Sequence, residues 1–488
     1  MSILRSDCRG LSWGLALLWV GGAAVCFHVG YLNTDFGPLS LFIVGYVICL
    51  TQLSQLKTTR QSFYAGLIAG LFCVAPQLLC FWKIFGPAAI PLWIVLAFWI
   101  AAFTGMAHAS LNRFGPLWGA ALIPFLWTGL EYFRSELYYL KFSWLNVGYA
   151  FARWEIFPIH ILGMYGIGFL VAIFAALFLM LRRTYWLACV AACVVIAAFL
   201  LPGLAGGREP RLHLAGIQME FPNEREIPAA LDSTLAKYTN ADILVLSEYT
   251  LDGPVPASLK DWCRANQRYL VVGGKDPAPN NNYYDTAFVV GPDGEIVFKQ
   301  VKSVPIQFFK DGLPAPEQKV WDSPWGKIGF CICYDLSYTR VTDRLIRQGA
   351  QLLIVPTMDV SDWGEHQHEL HARVAPVRAA EYGVPIFRVA SSGISQAVTG
   401  GRVAATAPFN GERETVFAAL DLPARGSLPA DRILAPVAVC VTGTALLGFC
   451  FWKRKTKREQ PAASSESGDD NPSRELSPIE KTEPAHQK

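Results

Sequence analysis

Eight stretches of this chain are apolar over lengths that approach or reach what a bilayer demands, and they decide most of what the chain can become. They fall near residues 12–31, 39–55, 62–82, 87–109, 115–131, 158–181, 185–203 and 433–452. A hydrocarbon core about 30 Å thick takes roughly 20 helical residues to cross. The second and fifth runs are short or interrupted by Pro and Gly, so their ends are the least defined. With 52% hydrophobic and only 17% charged residues, the chain reads as a polytopic α-helical membrane protein of about eight spans. No nucleic-acid partner is expected. No small-residue cleavage pattern follows Val29-Gly30-Tyr31, so the first run is read as a retained anchor rather than a signal peptide.

Short cationic loops stay cytoplasmic. Arg5 and Arg9 precede the first run, Lys57 and Arg60 follow the second, Arg113 the fourth, Arg182 and Arg183 the sixth, and Lys453 to Arg458 the last. Together they place both termini in the cytoplasm and the segment between the seventh and eighth runs outside, in the periplasm if the cell has two membranes. Lys83 is the one dissenting cation. The expected organisation is a seven-span membrane domain over 1–207, an extracytoplasmic domain over 208–425, a last span over 430–453, and a disordered cytoplasmic tail over 454–488, where apolar residues almost vanish.

Within 208–425, short β-branched runs alternate with helical patterns: Asp242–Ser247, Tyr269–Val272, Ala287–Val290, Lys327–Cys333, Leu352–Val355 and Pro385–Val389, with Asp293-Gly294 as a hairpin turn. This is the pattern of an α/β layered domain. Cys333 ends one of these runs and precedes the helical stretch Thr339 to Arg347, a placement that lifts a sulfur to a sheet edge where a substrate reaches it. Glu248 sits at the end of another strand, and Lys302 just after the second arm of the hairpin. Strand ends that face one way gather at one crevice. Singly, Glu248 and Lys302 read equally as surface charges, and Cys331 with Cys333 as small buried hydrophobes.

Leu246-Ser-Glu248, the Lys-x-x-Lys-x-x-Pro run ending at Pro305, and Ile332-Cys-Tyr-Asp335 resemble the nitrilase superfamily of carbon-nitrogen hydrolases, whose catalytic Glu, Lys and Cys follow that chain order. Asn282 to Ala287 and Gly291 to Ile296 are similar to that family's stretch ahead of the lysine. Such a domain inserted between a seventh and an eighth span, together with Pro124 to Arg134 and Phe142 to Tyr149, resembles the apolipoprotein N-acyltransferase family. The resemblance implies an αββα sandwich, catalytic Glu248, Lys302 and Cys333, supporting roles for Tyr334 and Asp335, and no cofactor or metal. It also implies a bacterial inner-membrane setting, a phospholipid acyl donor, and a diacylglyceryl-cysteine at an apolipoprotein N-terminus as acceptor. Phe308 and Phe309 are candidates for a lid or for acyl contact, and core packing accounts for them equally. Three positions depart from the family pattern. Val304-Pro-Ile-Gln-Phe-Phe309 lacks the family's glutamate, leaving Asp311 or Glu317 as stand-ins; Gln218 to Pro222 lacks a tryptophan; and Asp335 replaces a glutamate.

The chemistry is coherent on residue types alone. Glu248 accepts the thiol proton, Lys302 lowers the thiol pKa and stabilises an oxyanion, and Cys333 forms a thioester. His366, His368 and His371 lack the HExxH spacing and read as polar or helix-face residues rather than as a metal site. Glu131 and Arg134 are an interfacial ion pair or a lipid head-group contact. Two rival functions remain: a membrane-anchored amidase or nitrilase that uses water as acceptor, and a degenerate lipid-binding or transport protein.

Overall fold

A computed structural model of the protein describes residues 11–33, 36–152, 158–181, 211–409 and 413–458. The seventh apolar run, Arg5, Arg9, Arg182, Arg183 and the tail from residue 459 lie outside the described residues. The chain divides into one compact unit over residues 1–446 and a second from 447, whose described part is the end of the last helix.

The N-terminal half forms helices α1 (Trp13–Gly30), α2 (Phe42–Leu53), α3 (Thr59–Gln77), α4 (Cys80–Phe85), α5 (Ala89–Tyr132) and α6 (Ile159–Met180). Four described helical stretches are long and apolar enough to cross a membrane: Trp13–Gly30, Cys80–Leu137, Ile159–Met180 and Asp431–Phe449; Gly37–Leu53 is apolar but shorter. The count of about eight is therefore met only in part among the described residues. The 58-residue stretch holds two of the expected runs folded back on each other. Gly115 breaks the helix at φ 77°, and a Cβ on Gly119 would stand 2.5 Å from the Leu111 Cα. Eight residues of continuous helix rise about 12 Å, so the chain reverses at Gly115, just before Pro116. Gly66 and Gly70 of α3 meet Ala97, Ala101 and Thr104 of α5 so closely that a Cβ on either would come within about 3 Å of them. Such small-residue contacts let helix backbones approach where no hydrophobic force drives them together.

The inserted domain carries strands β1 (Arg211–Ile217), β2 (Ile243–Leu246), β3 (Tyr269–Ala278), β4 (Asn282–Val290), β5 (Ile296–Val301), β6 (Val320–Ser323), β7 (Gly326–Phe330), β8 (Leu352–Thr357), β9 (Ile386–Ala390), β10 (Ser395–Thr399), β11 (Arg402–Ala407) and β12 (Thr415–Asp421). They form two six-stranded sheets, ordered β12-β1-β2-β3-β4-β5 and β11-β10-β9-β8-β7-β6. Ile243 and Val245 of β2 join Ile328, Phe330, Leu352 and Ile354 of the other sheet in one buried core. Their neighbours Leu244 and Leu246 turn to the opposite face, against α7 (Glu226–Lys237) and α8 (Ala257–Asn266). That period of two makes the sandwich, and α9 (Thr339–Arg347), α10 (Glu365–Ala372) and α11 (Val374–Tyr382) follow on the second sheet's side. The expected αββα layering is observed, and the hairpin turns at Gly294, φ 78°.

The last helix, α12 (Asp431–Arg458), starts at the junction of the two halves. Asp431 accepts from the Tyr165 amide at 2.9 Å, and Arg432 bonds Asp343 of α9 at 2.8 Å. Lys83 lies beside the inserted domain, its Nζ 3.0 Å from where a Cβ on Gly364 would stand. Glu131 and Arg134 are both buried and brace the next loop: Glu131 accepts from the Val147 amide at 2.8 Å and Arg134 donates to Asn146.

Candidate active site

Parallel pairing of β1, β2 and β3, and of β7, β8 and β9, puts their C-terminal ends at one edge of each sheet. Glu248 follows β2, and the chain can pass there because Gly273 stands against it: a Cβ on that glycine would lie 2.6 Å from the Glu248 Cα. Lys302 follows β5, its amide donating to the Asp285 carbonyl at 2.8 Å. Strand β7 ends at Phe330, earlier than the expected Cys333. Cys333 instead opens a short 3-10 turn, Cys333–Ser337, in the left-handed region at φ 49°. A non-glycine residue there costs of order 1–3 kcal/mol and persists only where its surroundings enforce it.

Asp335 supplies that enforcement. Its carboxylate accepts from the amides of Ser303 at 3.0 Å, Val304 at 2.7 Å and Ile332 at 3.3 Å, tying the Cys333 turn to the loop after Lys302. Burial lifts its pKa to about 6 against these donors. Tyr334 donates to the Lys141 carbonyl at 3.0 Å, and Ser337 accepts from Trp144 Nε1 at 3.0 Å. Thr339 donates through its amide and its hydroxyl to Glu136, each at 2.9 Å.

Lys302, wholly buried, bonds Glu248 Oε1 at 2.6 Å and Asp311 Oδ2 at 2.8 Å, with Asp285 Oδ2 at 3.4 Å. Glu248 Oε2 accepts from the Met358 amide at 2.7 Å, and Asp311 is held by the Tyr249 hydroxyl at 2.7 Å and the Ile306 amide at 2.6 Å. Of the two stand-in acids, Asp311 is in the cluster; Glu317 is exposed and paired with Lys319. Three carboxylates with oxygens within 4.8 Å of one another are spaced to hold a cation, and the Lys302 ammonium already sits among all three. Burial alone would lower the lysine pKa, but the Glu248 carboxylate first and then Asp311 outweigh it and hold the group charged. Asp285 is fully buried beside Lys302 and Glu248; burial first and then the Glu248 charge raise its pKa well above the carboxylate range, against the pull of Lys302.

The expectation that Lys302 lowers the thiol pKa holds for the lysine's own contribution. Burial first and then the Glu248 carboxylate outweigh it and push the Cys333 pKa well up, so the resting group is a thiol. The sulfur lies 3.7 Å from the Met358 carbonyl oxygen.

Cys333 opens onto an apolar cavity with an empty volume of about 910 Å³, counting its open mouth, which Leu92, Val95 and Leu96 of α5 also line. Phe308 and Phe309 line it too; their rings stand edge-on to Phe85 of α4 at 6.0 and 5.7 Å. They are partly exposed, at 65% and 38%, which sets aside core packing. Two groups in this cavity, Asp359 and His371, are not identified by the sequence as part of the site. Asp359 follows β8 as Glu248 follows β2, and that shared strand-end position is the available signal. His366 turns away to Gln77 at 2.7 Å, whereas His368 and His371 converge on Asp359 at 3.7 and 2.8 Å.

Residues 224–430 match the carbon-nitrogen hydrolase family, and residues 23–177 match the apolipoprotein N-acyltransferase N-terminal domain. The apolipoprotein N-acyltransferase of Geobacter metallireducens is 25% identical over 409 residues, covering 70% of this chain and 78% of its own. That of Shewanella oneidensis is 25% identical over 444 residues, covering 77% and 85%. Among solved structures, a carbon-nitrogen hydrolase from Helicobacter pylori aligns with a TM-score of 0.39 and 18% identity, covering 43% of this chain and 90% of that one.

Proposed function

The chain belongs to the apolipoprotein N-acyltransferases within the nitrilase superfamily, and from that membership we propose that it N-acylates apolipoproteins through a Cys333 thioester drawn from a membrane phospholipid. The observation that carries the proposal is the joining of two surroundings at one sulfur. On one side is the buried Glu248–Lys302–Asp311 cluster; on the other, an apolar cavity walled by a membrane helix.

In this reading, Cys333 Sγ attacks an ester carbonyl of the phospholipid while its proton passes to Glu248. The Lys302 charge stabilises the developing oxyanion. The C–O bond breaks, the lysophospholipid oxygen takes the proton, and the acyl chain stays on sulfur as a thioester. The α-amino group of the diacylglyceryl-cysteine acceptor then attacks the thioester, forming an amide and freeing Cys333. Tyr334 and Asp335 hold the nucleophile turn, and Phe308 and Phe309 contact the acyl chain. The proposed organisation keeps the membrane domain at 1–207, the catalytic domain at 208–425 on the extracytoplasmic face, the last span at 430–453, and both termini cytoplasmic. The cationic loop residues Lys57, Arg60 and Arg113 support that orientation.

The test is mass spectrometry of a synthetic diacylated lipopeptide incubated with purified protein and phospholipid. One added amide-linked acyl chain is expected, with a drop of about 10⁴-fold or more for Cys333→Ala, the scale of losing a nucleophile. Hydrolysis of soluble amides without acyl gain would favour the amidase reading.

A further inference from the structure

The two half-reactions place different demands on proton transfer. In the first, a thiol proton leaves and is returned to an alkoxide. In the second, an amine that arrives through the cavity must lose a proton and sulfur must gain one. A basic group stands in that cavity. His371 is 2% exposed, its ring stacked on Trp144 with centroids 4.5 Å apart and 20° between planes. Its Nδ1 is 2.8 Å from Asp359 Oδ1, and Asp359 Oδ2 takes Arg388 Nη2 at 2.5 Å. Arg388 Nη2 also lies 3.1 Å from His371 Nδ1, but a guanidinium only donates, and its closer bond is to the carboxylate. Nδ1 therefore carries the hydrogen toward Asp359. Nε2, which makes no hydrogen bond among the described residues, is left unprotonated on a residue that lines the cavity with Cys333. Asp359 after β8, Arg388 on β9 and His368 on its own helix act on the ring's titration, and Lys141, Cys333 and Tyr334 share the cavity; burial lowers the pKa, Asp359 opposes, and Arg388 and His368 reinforce. The imidazole is neutral at pH 7, as a base must be.

We propose that His371, oriented by Asp359, is the general base for the acceptor amine in the second half-reaction. The inference rests on the acyl-transfer reading above. The amine nitrogen bonds to the thioester carbonyl carbon while its proton moves to His371 Nε2. The C–S bond breaks, and the same proton returns to the Cys333 sulfur, leaving amide, thiol and neutral imidazole. Asp359 touches neither reactant and is a positioning residue.

The experiment measures the two steps separately: acyl-enzyme formation from phospholipid, by intact-protein mass, and discharge of that acyl-enzyme to a diacylated lipopeptide. In His371→Gln, the first step is expected to stay within about threefold, which also reports a folded protein, while discharge falls about 10²- to 10⁴-fold, the scale of a general base. The wild-type discharge rate levels off above the His371 pKa, whereas the variant's keeps rising with pH as hydroxide takes over. His371→Phe, which retains a ring against Trp144, gives the same split. Asp359→Asn lowers discharge less than either, with the wild-type pH profile shifted. Equal loss of both steps in both His371 variants, or unimpaired discharge in either, overturns the proposal. Failure of wild-type protein to form any acyl-enzyme overturns the parent reading instead.

Discussion

Lys302 is the residue on which most of the site's electrostatics depend. A buried ammonium that bonds two carboxylates and lies beside a third is costly to remove, because the acids are left uncompensated. Lys302→Met is expected to destabilise the fold by about 3–5 kcal/mol as well as to abolish acyl-enzyme formation, checked by thermal unfolding in detergent alongside intact mass. Asp285 makes a pH prediction whose sign follows from linkage. Its folded pKa is raised by burial and Glu248 above an unfolded value of about 4. The folded state then holds a proton the unfolded state has lost, and that stabilisation is full below about pH 4 and falls away as pH rises toward the folded pKa. Asp285→Asn should flatten the decline of the unfolding midpoint between pH 5 and 8, worth about 1.4 kcal/mol per pH unit for one proton; an unchanged slope would mean Asp285 is ionised. Glu248, Lys302 and Cys333 were legible as candidates because each lies within three residues of a strand's end. Asp285 was not, since it lies inside β4 and becomes part of the site only when β4 and β5 pair. Arg388 and His371 acquire meaning only through Asp359, which lies 29 and 12 residues away from them.

At the level of elements, apolar runs and β-branched alternation carried the reading well. Gly115-Pro116 separated two expected spans that do double back there. Strand ends differ by a few residues because hydrogen bonding, not hydrophobicity, sets them: β7 stops at Phe330, and past it only the Cys331 amide, among the described residues before Cys333, still donates to β8, at 3.2 Å to the Ile354 carbonyl. The contact between α3 and α5 was not read, although Gly66 and Gly70 have the four-residue spacing that such contacts use. Gly70→Leu should push α3 from Ala97 and cost about 1–3 kcal/mol, the usual cost of overpacking, read as a lower unfolding midpoint. Gly21→Leu, where a Cβ meets nothing within 4 Å, should leave the midpoint unchanged.

The whole molecule joins two architectures at one cavity, and no periodic signal in the sequence could announce that joint. Leu92, Val95 and Leu96 read as ordinary span residues, yet they line the cavity that Cys333 opens onto. Val95→Trp is expected to slow acylation of Cys333 by long-chain phospholipid about tenfold or more, on the scale of 1.4 kcal/mol per decade. Acylation by a short, soluble activated ester should be nearly unaffected, with both followed by intact-protein mass; equal slowing of the two would remove the wall from donor recognition.

The turn bearing Cys333 is gripped from the membrane side at three successive points: Tyr334 by Lys141, Ser337 by Trp144 and Thr339 by Glu136. These grips make the enzyme a poor module. A domain excised over 211–421, or transplanted onto another anchor, would keep its sheets and the Asp335 bonds but lose these three outer holds on the turn that carries its sulfur. Recombination between relatives can succeed only if residues 136–144 travel with the domain, so the two halves are bound to diverge as one lineage.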